Sequence, residues 1–184
     1  SGTYSTVSYE NNTLGSHTLT HNIGGSRNSA IGSYALHHNT TGGDNNAMGY
    51  RALYFNSMGE FNDAIGSNAL FYNTVGRYNS AMGRDALSHN TTGSYNSAIG
   101  GFSSYQNITG DYNVALGYYA LNNNRTGSNN TAIGVRAGYG AWTQSYSNNS
   151  LFGYKAGYAL ATGSNNIIMG YQAGDNLTTG SNNI

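Results

Sequence analysis

The chain has 184 residues, seven Lys plus Arg against seven Asp plus Glu, 8% charged residues in all, and neither Cys nor Pro. Zero formal net charge removes the long-range field that gathers nucleic acid or an anionic membrane surface, and without Cys there is no disulfide framework or thiolate metal site. No apolar run approaches the roughly 20 residues that cross a bilayer, so membrane insertion by this segment is not expected.

Residues 1–12 read as an irregular first coil or a junction, although Asn11 already keeps the phase of the later coils. Residues 13–184 are a repeat region. Glycine recurs every 17 residues at Gly15, Gly32, Gly49, Gly66, Gly83, Gly100, Gly117 and Gly134, then resumes after one slip at Gly153 and Gly170. A short fixed period marks a solenoid, in which each repeat is one coil stacked on the next. The consensus is G-x-x-N-x-A-I-G-x-x-A-L-x-x-N-T-T. Its two apolar stretches, each about four residues long, suit strands and are too short for helices. The expected fold is therefore all-β: a parallel β-roll or β-solenoid of about ten 17-residue coils. Each coil has two short strands, with Gly at both corners supplying positive φ.

Within a coil, Asn comes first. Asn28, Asn45, Asn62, Asn79, Asn96, Asn113 and Asn130 occupy one column, expected to form a ladder of side-chain amides. Asn22, Asn39, Asn56, Asn73, Asn90, Asn107 and Asn124 form a second column that suits either a ladder or a turn. After the first Asn comes a small Ala column (Ala30, Ala47, Ala64) beside a large apolar column of Ile31, Met48, Ile65, Met82, Ile99, Leu116 and Ile133. Neighbours in a strand point to opposite faces, so both faces of this strand are apolar. A 17-residue coil also encloses little volume. Both points predict that the large column serves the core or the interface of a parallel homotrimer. The alternative is a local bulge that turns Ala30 and Ile31 to one side.

The interval from Gly134 to Gly153 is 19 residues, and the two extra residues fall within 138–146, a corner that carries the single Trp, Trp142. Insertions in solenoids go to loops, which either bind a partner or absorb drift. The chain starts at Ser1 and stops at Ile184 partway through a repeat, so it reads as a segment of a longer one.

Aromatic residues supply the candidate contacts. Phe61, Tyr78, Tyr95 and Tyr112 share one column, and a second belt holds Tyr54 with Phe55, Phe71 with Tyr72, then Tyr105. Such columns either stack on themselves or offer a surface to sugar rings. The candidate glycan or receptor contacts are Phe61, Tyr78, Tyr95, Tyr112, Tyr54, Tyr105 and Trp142. His21, His38 and His89 share a phase with His37 adjacent, but no third ligand stands at a recognised spacing, so no metal is expected. The seven carboxylates occupy scattered phases, which leaves no recurring acid–base pair and too few hard ligands for Ca²⁺. The Gly-rich corners lack the strand-to-helix context of phosphate loops. No catalytic residue, cofactor or enzymatic activity is expected.

The runs Asn28-Ser29-Ala30-Ile31-Gly32, Asn62-Asp63-Ala64-Ile65-Gly66 and Asn130-Thr131-Ala132-Ile133-Gly134 resemble the S-x-A-I-G strands in head domains of trimeric autotransporter adhesins. They are also similar to the repeats of phage tail fibres. The resemblance covers about residues 13–184, with a longer period here than in the adhesin heads. It implies a left-handed roll that trimerises, acting as a fibre or adhesin segment that extends and presents recognition of a host or cell surface. It also implies an extracellular place, on a virion tail fibre or a bacterial surface. Its partners are then its own copies and a surface glycan or receptor, with no nucleic acid. A carbohydrate-binding module built on the Tyr ladders is the alternative. An ice-binding solenoid needs a flat Thr array, whereas Thr recurs here only at corners.

Overall fold

The computed structural model describes residues 10–142 and 145–184. Residues 1–9 of the irregular start, and residues 143 and 144 of the inserted corner, lie outside the described residues. Ten three-residue strands follow in chain order: β1 (Asn12–Leu14), β2 (Ser29–Ile31), β3 (Asn46–Met48), β4 (Asp63–Ile65), β5 (Ser80–Met82), β6 (Ser97–Ile99), β7 (Val114–Leu116), β8 (Thr131–Ile133), β9 (Ser150–Phe152) and β10 (Ile167–Met169). They form one parallel sheet in sequence order. Register is one whole repeat, so Ala30 lies beside Ala47 and Ile31 beside Met48. The chain is a β-solenoid. Among the described residues it has no helix, and so none long and apolar enough to cross a membrane.

Among the described residues, only the first apolar stretch of each repeat is a strand. In β2, Ala30 is fully buried and Ile31 is 38% exposed, the ordinary alternation of extended backbone. No bulge turns the pair to one side. The expectation that the large column belongs to the core is corrected accordingly: Ile31, Met48, Ile65, Met82, Ile99, Leu116 and Ile133 are 37–48% exposed and line the outer face of the sheet.

The second stretch is a turn, and the reason is visible in its burial. Ala35 and Leu36 are adjacent yet both completely buried, which an extended strand with one face to solvent cannot achieve. Leu36 sits at φ 50°, as do Leu87 and Leu121, with Leu53 and Leu70 within two degrees. A left-handed residue rotates the chain so that two consecutive side chains face inward. The conformation costs roughly 1–2 kcal/mol, and burying a Leu contributes about 1.5–3 kcal/mol in return.

The two glycine columns differ in cause. Gly66 has φ 134°, beyond the reach of an ordinary side chain. Gly59 has no positive φ; a Cβ there would lie 2.6 Å from the Gly76 carbonyl oxygen of the next coil. The first corner is glycine for its dihedral and for the close approach of the next coil together, the second for close approach alone.

Two amide ladders run inside the coil. Asn79 donates its main-chain N–H to Asn62 Oδ1 at 3.1 Å, and its Nδ2 to the same oxygen at 3.1 Å and to the Gly93 carbonyl at 2.8 Å. This pattern passes the two-residue insertion unbroken, because Asn149 bonds Asn130 Oδ1 in the same way. In the second column Asn73 Nδ2 reaches Asn56 Oδ1 at 2.8 Å and the Gly76 carbonyl at 3.0 Å. A single amide thus makes both the ladder and the local turn. The buried amides of these columns are thus paired along the coil axis.

The last amide-to-amide bond of the second ladder runs from Asn107 Nδ2 to Asn90 Oδ1; one coil on, next to the insertion, Asn124 Nδ2 donates to the Gly127 carbonyl. Asn124 Oδ1 accepts from the Tyr146 main-chain N–H at 3.1 Å, and the Tyr146 phenol, buried to 2% exposure, donates to the Gly138 carbonyl. Burial pushes that phenol's pKa up. Beyond this plug the core changes composition. The Leu column gives way to Gly138, Gly157 and Gly174, the Asn column to Leu160 and Leu177, and the Ala column to Leu151 and Ile168. A Cβ on Gly157 would lie 3.0 Å from both Leu151 Cδ2 and Leu160 Cδ1, so bulk has moved between columns while the space stays filled. Replacing Tyr146 with Phe leaves the Gly138 carbonyl without this partner in a dry site. It is expected to lower the unfolding free energy by about 1–2 kcal/mol, read from urea denaturation.

Candidate functional site

With the interior given over to Ala, Leu and Asn, any interaction falls to the outer columns. Four consecutive coils place an aromatic at the residue preceding the first Asn. Phe61, Tyr78, Tyr95 and Tyr112 stack with centroids 4.8, 5.0 and 4.9 Å apart and planes within 9°. All four have φ between 55° and 59°, and they are 43–56% exposed. The same position is Asn129, Asn148 and Asn165 in later coils, also at positive φ, where Asn is at ease and a bulky residue is not. Mutual stacking contributes about 0.5–1.5 kcal/mol per pair and offsets the dihedral cost. Because neighbours fill the ring faces, a ligand approaching mid-ladder meets ring edges and Tyr hydroxyls.

The second belt is two columns wide. Tyr54 stacks on Phe71 at 5.2 Å and Phe55 on Tyr72 at 5.5 Å, while Tyr54 meets Phe55 edge to face at 4.6 Å. Tyr105 does not continue the Tyr54 column, since Ser88 occupies the coil between; it joins the belt sideways, 4.5 Å from His89. Desolvation, then Asp85 and Tyr72, raise the pKa of the Tyr105 phenol. Trp142 stands 68% exposed at the inserted corner, one coil beyond the last Tyr of the first ladder. The structure therefore divides the seven candidate aromatics among three places and does not gather them into one pocket.

The outer sheet face pairs a polar column with an apolar one. Asn46, Asp63 and Ser80 run beside Met48, Ile65 and Met82 and enclose a shallow groove. Asn46 Nδ2 donates to Asp63 Oδ1 at 2.7 Å. The apolar ridge continues from Leu14 to Met169, both about 70% exposed.

Sequence spacing picks out His21, His38 and the adjacent His37 but finds no third ligand among them; the structure brings the three together. His37 and His38 follow the left-handed Leu36 and both emerge on the outer surface, their rings edge to face at 4.5 Å. His21 from the preceding coil stacks on His38 at 4.9 Å and meets His37 at 4.8 Å. The third imidazole, absent from any single column, comes from the adjacent one; the His37-His38 dipeptide one repeat after His21 was the available signal.

Comparison of the chain with protein-family models, with curated proteins and with solved structures returns no significant match.

Proposed function

We propose that this chain is a structural segment of a fibre or surface adhesin. In this reading three copies pack in parallel with their sheet faces together, and the rod extends and presents recognition of a host or cell surface outside the cell. The observation that carries it is the unbroken apolar ridge on the outer sheet face, where Ile31, Met48, Ile65, Met82, Ile99, Leu116 and Ile133 each keep 37–48% of their surface exposed. A contiguous apolar strip of this length on a free chain invites association. A second copy carries the same strip at the same spacing, so parallel packing matches ridge to ridge over about nine layers of ~4.8 Å. Left-handed winding and the attachment role rest on the likeness of the N-x-A-I-G strands to adhesin heads and tail fibres. The role is mechanical, with no catalytic step.

The second reading, glycan binding, is favoured by the exposed Tyr hydroxyls of Tyr78, Tyr95 and Tyr112 and by Trp142. Sedimentation equilibrium tests the first. The wild-type mass is expected at three times the 19.4 kDa chain, and Ile65→Lys with Met82→Lys to give monomers of unchanged circular dichroism. A monomeric wild type would sink the trimer; retention of a surface glycan lost in Tyr95→Ala would favour the second reading.

A further inference from the structure

Four of the five histidines lie between residues 17 and 38, and three converge on the outer face of the first two coils. One ligand nitrogen from each of His21, His37 and His38 lies within 4.8 Å of the others. We propose that these three imidazoles form a site for a divalent first-row transition-metal ion, Zn²⁺ foremost, that staples the first coil to the second.

Two features go beyond mere proximity. His37 Nδ1 is buried and has no hydrogen-bond partner, which costs free energy unless something occupies it. His21 Nδ1 lies 3.1 Å from the His37 main-chain carbonyl. A carbonyl only accepts, so Nδ1 carries the proton and Nε2 keeps its lone pair for a ligand, the orienting contact that metal-binding histidines use.

The donor set decides the metal. All three donors are imidazole nitrogens, which suits Zn²⁺, Cu²⁺ or Ni²⁺ and not Ca²⁺ or Mg²⁺. Tetrahedral Zn–N bonds of about 2.0–2.1 Å place donors roughly 3.4 Å apart. From the spacing here, that requires ring shifts on the order of 1 Å, in an exposed His21 and in half-buried His37 and His38 rings that stack on Tyr54 and Phe55. The fourth position is left to water or an external ligand. The purpose follows from the sheet: among the described strands β1 pairs only with β2, so a bond between His21 and the His37-His38 pair secures a coil that is held by one described neighbour.

The test is calorimetric titration of the full chain with ZnCl₂, alongside hydrogen exchange. The expected result is saturation at one equivalent per chain, weakened at least about tenfold in His37→Gln and in His38→Gln, and unaltered in His89→Gln. Zinc should also slow exchange of the Asn12–Leu14 amides in the wild type and not in His38→Gln. If His37→Gln disturbs the fold by circular dichroism, the exposed His21→Gln gives the same reading. No saturable binding, or equal binding by the His21, His37 and His38 variants, overturns the proposal.

Discussion

Replacing Asn79 with Asp is expected to destabilise the fold at pH 7 by about 4 kcal/mol or more, in the range found when a buried charge is left without its partner. The side chains are nearly isosteric, so shape is not at issue. Asn79 Nδ2 donates to Asn62 Oδ1 and to the Gly93 carbonyl, while its Oδ1 accepts from Asn96 N and Nδ2. In the carboxylate the donor becomes a second acceptor facing two oxygens, in a position 1% exposed. Desolvation and those oxygens raise the folded-state pKa above the unfolded value of about 3.9. The unfolded state therefore ionises first as pH rises, and the ionisation penalty grows up to the folded pKa. Below the unfolded value the protonated acid donates one hydrogen bond and most of the loss is recovered. Asn79→Ala, which orphans the Asn96 main-chain N–H without adding charge, should lose about 2–4 kcal/mol with little pH dependence. Urea denaturation at pH 7 and pH 4 measures both; a pH-independent Asn79→Asp deficit would show that the ladder is wet.

Gly66→Ala is expected to cost about 3 kcal/mol or more, combining a dihedral that L-residues avoid with a steric overlap. The new Cβ would lie 2.6 Å from the Gly83 oxygen and 2.7 Å from its carbonyl carbon. Both are backbone atoms of the next coil, so no rotamer change relieves the contact. Gly101→Ala is the matched control: it sits one residue past a corner of the same column, without positive φ, and its Cβ would meet the Tyr118 ring at an ordinary 3.4 Å. A shift within about 0.5 kcal/mol is expected there. Equal losses at the two sites would mean that coil spacing relaxes freely.

The period, the first strand and the Asn28-to-Asn130 ladder were legible because each follows from a residue type recurring at one phase. A column of the same side chain, stacked at one repeat, has few ways to satisfy itself. The second apolar stretch was misread for a physical reason. Ala35-Leu36 and Ala30-Ile31 look alike as apolar pairs, yet one turns through a left-handed Leu and the other stays extended. Periodicity cannot distinguish them, because the dihedral is imposed by the coil closing on itself. The same turn hid the histidine cluster: it throws His37 and His38 to one surface, where strand logic would have split them. The change of core after Tyr146 was written in the sequence as Gly138, Gly157 and Gly174 replacing Leu, but its meaning needs the neighbouring columns in view.

That change of core has a bearing on assembly of the chain. A stack of near-identical coils can thread one repeat out of place at little penalty, and each such slip is a trap on the way to the native order. Coils on either side of Tyr146 are not interchangeable. Setting Leu160 directly against Asn124 would strip Asn124 Oδ1 of the Tyr146 N–H it accepts and press Leu160 into a column built for amides. The plug is thus an index mark on an otherwise featureless ruler, allowing one alignment of the coils to stand apart in free energy from its shifted copies.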